Sequence, residues 1–195
     1  DGTWLAGGGF DGCLYIWNAR QLTVLAAAPP VADTYQPVNG LHWLDETRLL
    51  AVYLNQLVIW EIPAPREVQR IPAPEDFLNY AGSSLSLDRT ILWLTAGNEK
   101  LYAYRFADET WQIYPPGDEN VFTAGYTLAL SPDEQFALAA DSFGGVRFWL
   151  LDAPRRLSAP VLPMNNISAA TFSPEGRLLA ITSPSAATVW ILGIP

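Results

Sequence analysis

Few side chains in this chain can do chemistry, and their spacing narrows the options at once. The 195 residues hold one cysteine and one histidine, so a disulfide within the chain and a cysteine-built metal site are excluded, and most His-based metal or triad chemistry goes with them. His42 lies between Leu41 and Trp43 in a short apolar run, where a packing histidine is the expected role. Cys13 follows Asp11-Gly12 with no His or basic cluster to lower its pKa, so it reads as a small packing residue. Gly7-Gly8-Gly9 has the composition of a phosphate loop, but it precedes a turn into a strand and not a helix N-terminus, which leaves no nest or dipole for an anion. Glycoside cleavage needs two carboxylates at a set separation. Only Asp11 and Asp141, near the ends of expected strands, stand where such a pair would be sought. Nothing in these residues calls for a cofactor.

The elements that must carry these residues come from the wider pattern. Hydrophobic residues make up 50% of the chain and charged residues 16%, enough apolar surface for a substantial core. The formal net charge of -9, with no Lys/Arg cluster, argues against nucleic acid, whose phosphates need a basic face. No run of about 18 apolar residues occurs, so no membrane-spanning helix is expected. The chain begins at Asp1 without a recognisable leader, which leaves the compartment open.

A repeat dominates the rest. An aromatic residue closes a short alternating run at Trp17, Trp60, Tyr104 and Trp149, with spacings of 43, 44 and 45 residues. A fifth copy, ATVWIL, puts either Trp190 or Leu192 at this point. A turn after another apolar run keeps step, at Asp45, Asp88, Pro132 and Pro174, spaced 43, 44 and 42. Between the markers lie RLLAVYL, TILWLTA, QFALAAD and RLLAITS, too short and too rich in turn residues for helices. Each repeat therefore reads as four strands, the last running into a Pro-containing loop: Pro29-Pro30, Pro72-Ala73-Pro74, Pro115-Pro116 and Pro160. Four strands every 40 to 45 residues or so is the sequence signature of a β-propeller.

The repeats resemble WD-repeat blades across essentially the whole chain. Gly9-Phe10-Asp11-Gly12-Cys13-Leu14-Tyr15-Ile16-Trp17 is similar to the family's turn and third strand. Ala170 to Ala180, with Ser173-Pro174-Glu175-Gly176 at its centre, is similar to its first strand, turn and second strand. The departures matter as well. No Gly-His pair precedes a first strand, and Asn18, Glu61, Arg105 and Leu150 follow the anchors in place of Asp, so the family's buried Asp-His-Ser-Trp network cannot form in full. The resemblance implies an all-β fold, a β-propeller of four-stranded antiparallel blades. About five are present, three complete and two partial, as one domain over 1-195 with units near 1-30, 31-74, 75-118, 119-162 and 163-195. Asp1-Gly2-Thr3-Trp4 aligns with Glu175-Gly176-Arg177-Leu178, and no fourth strand follows ATVWIL, so the expectation is a portion of a larger propeller, with a ring of five completed by neighbouring sequence as the alternative.

The resemblance also implies a non-catalytic scaffold that binds a protein or peptide. In a propeller the loops from fourth to first strands share one face, here near 29-39, 72-81, 115-126 and 160-166. They carry Asp33, Glu75, Asp76, Asp118 and Glu119 and no Lys, Arg or His, a balance that would attract a basic partner. They also carry Tyr35, Phe77, Tyr80, Phe122 and Tyr126, residue types that anchor interfaces. The turns of the opposite face, with Arg48, Arg66 and Arg89 among Asp45, Asp88 and Glu109, mix both signs as a solvated surface does. An acidic chain also has acidic loops that bind nothing, with aromatics tucked under the sheet edge. Other readings stay open: a glycosidase-like propeller enzyme, a quinone-cofactor propeller suggested by Cys13-Leu14-Tyr15 and Lys100-Leu101-Tyr102-Ala103-Tyr104, or a spacer fused to a catalytic domain. The oligomeric state is left open too.

Overall fold

The computed structural model describes residues 2–31, 36–77, 80–97, 100–114, 125–141, 146–152, 155–157, 167–183 and 188–193, and among them every regular element is a strand. The first sheet contains β1 (Trp4–Gly8), β2 (Leu14–Asn18) and β3 (Thr23–Ala28). The second contains β4 (Gly40–Trp43), β5 (Arg48–Val52), β6 (Gln56–Glu61) and β7 (Arg66–Pro72). The third contains β8 (Tyr80–Leu85), β9 (Ile91–Ala96), β10 (Leu101–Arg105) and β11 (Thr110–Tyr114). The fourth contains β12 (Gly125–Leu130), β13 (Phe136–Asp141), β14 (Val146–Leu150) and β15 (Arg155–Leu157), and the fifth β16 (Ala169–Phe172), β17 (Leu178–Ser183) and β18 (Thr188–Gly193). All pairings are antiparallel between strands consecutive in sequence, so each sheet is a meander.

Burial explains the composition of the strands. β5 and β9 are apolar at nearly every position because both faces are covered, whereas β3, β7 and β11, at the sheet edges, are largely exposed. Pro72 is the last residue of β7, an edge position where a missing N–H is tolerated. The register settles the fifth anchor. Trp17 faces Leu5, Trp60 faces Leu49, Tyr104 faces Leu92, Trp149 faces Ala137, and Leu192 faces Leu179, so Leu192 and not Trp190 is the equivalent residue.

The chain divides into two compact units, Asp1–Glu75 and Asp76–Pro195. In the first, Leu14, Ile16 and Ala28 pack against Leu49, Ala51, Val58 and Trp60 of the second sheet. In the second, Trp93, Leu101, Ala103 and Tyr114 pack against Leu128, Ala137, Ala139 and Trp149, and the other face of that fourth sheet, Leu138, Ala140 and Val146, packs against Leu179 and Ile181. Here β12 runs beside both β8 and β16, so the first strands of three consecutive sheets line up. Gly82 permits this approach: a Cβ on it would stand 2.7 Å from the Thr127–Leu128 backbone.

The turns between first and second strands repeat one design in the second unit. Ser86 Oγ accepts the N–H groups of Thr90 and Ile91, and it donates to Asp88 at 2.7 Å. Ser131 Oγ accepts from Phe136 and donates to Asp133, and Ser173 Oγ accepts from Leu178. Ser86, Ser131 and Ser173 are therefore equivalent, and Asp88 matches Asp133 and Glu175 in place of Pro132 and Pro174, a one-residue correction to the turn marker. Between β4 and β5 the turn is a residue shorter, with Leu44 N–H reaching Arg48 where Ser86 N–H reaches Ile91, and this shortening hides the equivalence. Three residues beyond each serine the backbone is left-handed, with φ of 59° at Arg89, 53° at Glu134 and 71° at Gly176. Gly2, which aligns with Gly176 in the sequence, also has φ 71°.

Candidate functional site

Of the loop residues singled out for partner binding, Glu75, Asp76 and Phe77 are described; Asp33, Tyr35, Asp118, Glu119 and Phe122 lie outside the described residues, as do the side chains of Tyr80 and Tyr126. The three stand together just before β8. Glu75 and Asp76 are exposed. Asp76 forms an ion pair with Lys100, which comes from the turn before β10, and a hydrogen bond from that ammonium holds the Asp76 carboxyl below its ordinary range. The basic-residue-free loop is thus met by a base from elsewhere, and the local field is weaker than its own sequence implies. Phe77 lies edge-on to Tyr102, ring centroids 4.9 Å apart, so this loop aromatic packs against its own sheet. On the opposite turns the mixed signs are paired, Arg48 with Asp45 and Arg66 with Glu61; all four are substantially exposed and contribute little.

The remaining chemical candidates have structural surroundings. His42, on β4, is pushed down to about 4 by burial, so its ring is neutral at pH 7. The Cys13 thiol is pushed up, first by desolvation and then by the neighbouring Asp11 carboxylate, the reverse of an activated nucleophile. Asp11 accepts the Cys13 N–H at 3.0 Å and caps its own turn. Asp141 ends β13, and its side chain lies outside the described residues. The glycine run packs tightly: a Cβ on Gly7 would stand 2.9 Å from the Trp17 indole, and one on Gly8 2.3 Å from Val38. Among the described residues no three of His, Cys, Asp and Glu gather as a metal site, and no helix is long and apolar enough to cross a membrane.

The second unit also holds a feature that reading for charge and aromatic residues missed. At the ends of β8, β12 and β16 opposite to Asp76 and Phe77, an open groove of about 560 Å³ crosses the turns of three consecutive sheets. Ser84, Thr171 and Ser173 give it hydroxyls, while Leu87, Pro132 and Pro174 give it apolar surface. Its carboxylate, Glu134, accepts the N–H of Leu87 and so ties the turn before β13 to the turn before β9. In the next turn Gly176 takes the place of Glu134 and lies beside Pro132, whose Cδ would be 3.5 Å from a Cβ there. The only sequence signal was the Ser-Pro pair at Ser131-Pro132 and Ser173-Pro174, noted as a turn but not as a surface.

Set beside known proteins, the chain matches no family model, and no curated protein aligns with it as a relative.

Proposed function

We propose that this chain is a β-propeller of the WD-repeat type and acts as a non-catalytic scaffold that holds an extended segment of a partner protein. Five meandering sheets with equivalent anchors, and the first strands β8, β12 and β16 that line up within the second unit, support the architectural part. The observation that carries the functional part is the groove across three turns. Its volume is that of a site for a small ligand or a few residues of peptide, about 300–1,000 Å³. Hydroxyls alternating with Leu and Pro suit an extended chain, whose backbone takes hydrogen bonds while its apolar side chains lie on the prolines. The residues that line it are held by turns whose own N–H groups are satisfied, so little ordering is left for binding to impose.

A second reading places a basic segment on the loops before the first strands, and exposed Glu75 beside Asp76 favours it. One experiment separates the two. Peptides selected from a random displayed library against the chain are measured against Leu87→Glu and Thr171→Arg, and against the Glu75→Gln, Asp76→Asn double variant. The groove reading expects a tenfold or greater loss of affinity from each groove variant and little change from the double variant. Loss confined to the double variant moves the site to the acidic end. Failure to select any peptide above an unrelated β-sheet protein ends the scaffold reading.

A further inference from the structure

Wherever a turn lines the groove across β8, β12 and β16, its hydrogen-bond donors are already spent. Pro132 and Pro174 have no N–H to give. The N–H of Ser131 goes to the Phe136 carbonyl, that of Glu134 to the Ser131 carbonyl, and that of Ser173 to the Leu178 carbonyl, each within its own turn. The N–H of Leu87 is taken by the Glu134 carboxylate. Even the Ser131 hydroxyl donates inward, to Asp133 at 2.6 Å. The hydroxyls of Ser84, Thr171 and Ser173 are neutral groups that accept as readily as they donate. This lining suits a ligand that brings donors of its own, and it suits an anion poorly.

Charge points the same way. Among the described residues that line the groove, Glu134 alone is ionisable; it is half-buried, and its Oε1 takes the Leu87 N–H. Arg89 and Arg177 belong to the same turns but not to the lining. Asp88 and Asp133 are engaged by the hydroxyls and N–H groups of their own turns. One carboxylate does not make a metal site, and no three of His, Cys, Asp and Glu gather as one among the described residues. Leu87, 75% exposed, and Pro132 add apolar surface of the kind that the methylene stem of a lysine or arginine covers while its head reaches a carboxylate. In the next turn Gly176 stands where Glu134 does, so the part of the groove lined by Thr171 and Ser173 carries no charge.

We infer that the groove takes its partner segment through a lysine or arginine side chain, whose charged head meets Glu134 while its stem lies on Leu87 and Pro132. Uncharged residues of the same segment lie along Thr171 and Ser173. A single charge near one end of the groove sets the register in which the segment is laid. This role for Glu134 rests on the groove being the binding site proposed above.

Fluorescence anisotropy with the library-selected peptides tests this, their termini acetylated and amidated so that side chains are the only cations. Peptides that Thr171→Arg weakens tenfold or more are the groove binders, and each is expected to carry Lys or Arg at one common position. Changing that residue to Gln should weaken binding about fivefold or more, and Glu134→Gln should weaken the unchanged peptide to the same extent. The two losses should not add, because either one removes the same contact. Glu134→Gln keeps an acceptor for the Leu87 N–H, so its unfolding midpoint should stay near the parent's; should it fail to fold, the Gln peptides alone decide. The Glu75→Gln, Asp76→Asn double variant, which removes more charge at the opposite strand ends, should change affinity little. Groove binders with no common cation, or losses that simply add, overturn the inference and leave the groove as the site. Peptides indifferent to Thr171→Arg overturn the groove itself.

Discussion

The turn from first to second strand is built two ways in this molecule. In the third and fourth sheets a buried serine hydroxyl collects the N–H groups that close the turn, and an aspartate two residues on holds that hydroxyl in place. In the second sheet Asp45 does both jobs from a shorter turn: its Oδ1 accepts the N–H groups of Thr47 and Arg48 at 2.8 Å each, while its other oxygen takes the Arg48 guanidinium. The difference shows that the fold requires acceptors for these N–H groups and not any particular residue. It also shows what meets those groups: a buried neutral hydroxyl backed by an exposed carboxylate in one region, and the carboxylate itself in the other.

That comparison is sharpest in its pH response. His42, next to the aspartate-built turn, protonates near 6.5 when unfolded and near 4 when folded. The unfolded chain therefore binds the proton more readily between these values. Stability should fall by about 2–3 kcal/mol as pH drops from 6.5 to 4 and level off below. Urea midpoints of the parent and His42→Leu across this range give the test; a slope that survives in the variant assigns it elsewhere. Asp45, Asp88 and Asp133 act in a lower window. Desolvation raises Asp45 but its hydrogen bonds from Thr47 and Arg48 outweigh that and hold it at about 2, so its contribution, present above the ordinary carboxyl range, is lost only as pH falls toward 2. Hydrogen bonds from Ser86 and Ser131 lower Asp88 and Asp133 in the same sense.

The next effect in size separates the turns directly. Ser86→Ala or Ser131→Ala strands part-buried N–H groups and should cost about 1–2 kcal/mol. Asp45→Ala, where water can reach the same groups, should cost about half as much; equal losses in thermal unfolding would mean that the two designs are buried alike. The smallest effect concerns Glu134, whose carboxylate ties two turns of neighbouring sheets. Glu134→Ala should cost about 0.5–1 kcal/mol, and Glu134→Gln, which keeps an acceptor, should recover most of it.

The sequence made some of this legible and hid the rest for physical reasons. Strand grouping could be read because covered strands such as β5 need apolar residues on both faces while edge strands do not, and the anchors keep their place in each sheet. The fifth anchor could not, since ATVWIL offers two large apolar residues two apart and only the pairing of Leu192 with Leu179 decides. The shorter turn at Asp45 displaced the marker by a residue. The acidic end was legible as composition but not as field, because Lys100 is distant in sequence from Asp76 and adjacent in space. The groove escaped notice because serine, threonine, proline and leucine draw no attention until three turns set them side by side.

The tie between Glu134 and Leu87 gives the order of the sheets a local rule. Where one turn offers an N–H, the following turn supplies a carboxylate; where it offers Pro132, with no N–H to give, the following turn has Gly176. A tandem duplication of the fourth sheet would bring a copy of Glu134 against Pro132 and leave the carboxylate without that donor. The repeats are therefore not interchangeable modules, and their succession is written in pairs of neighbouring turns.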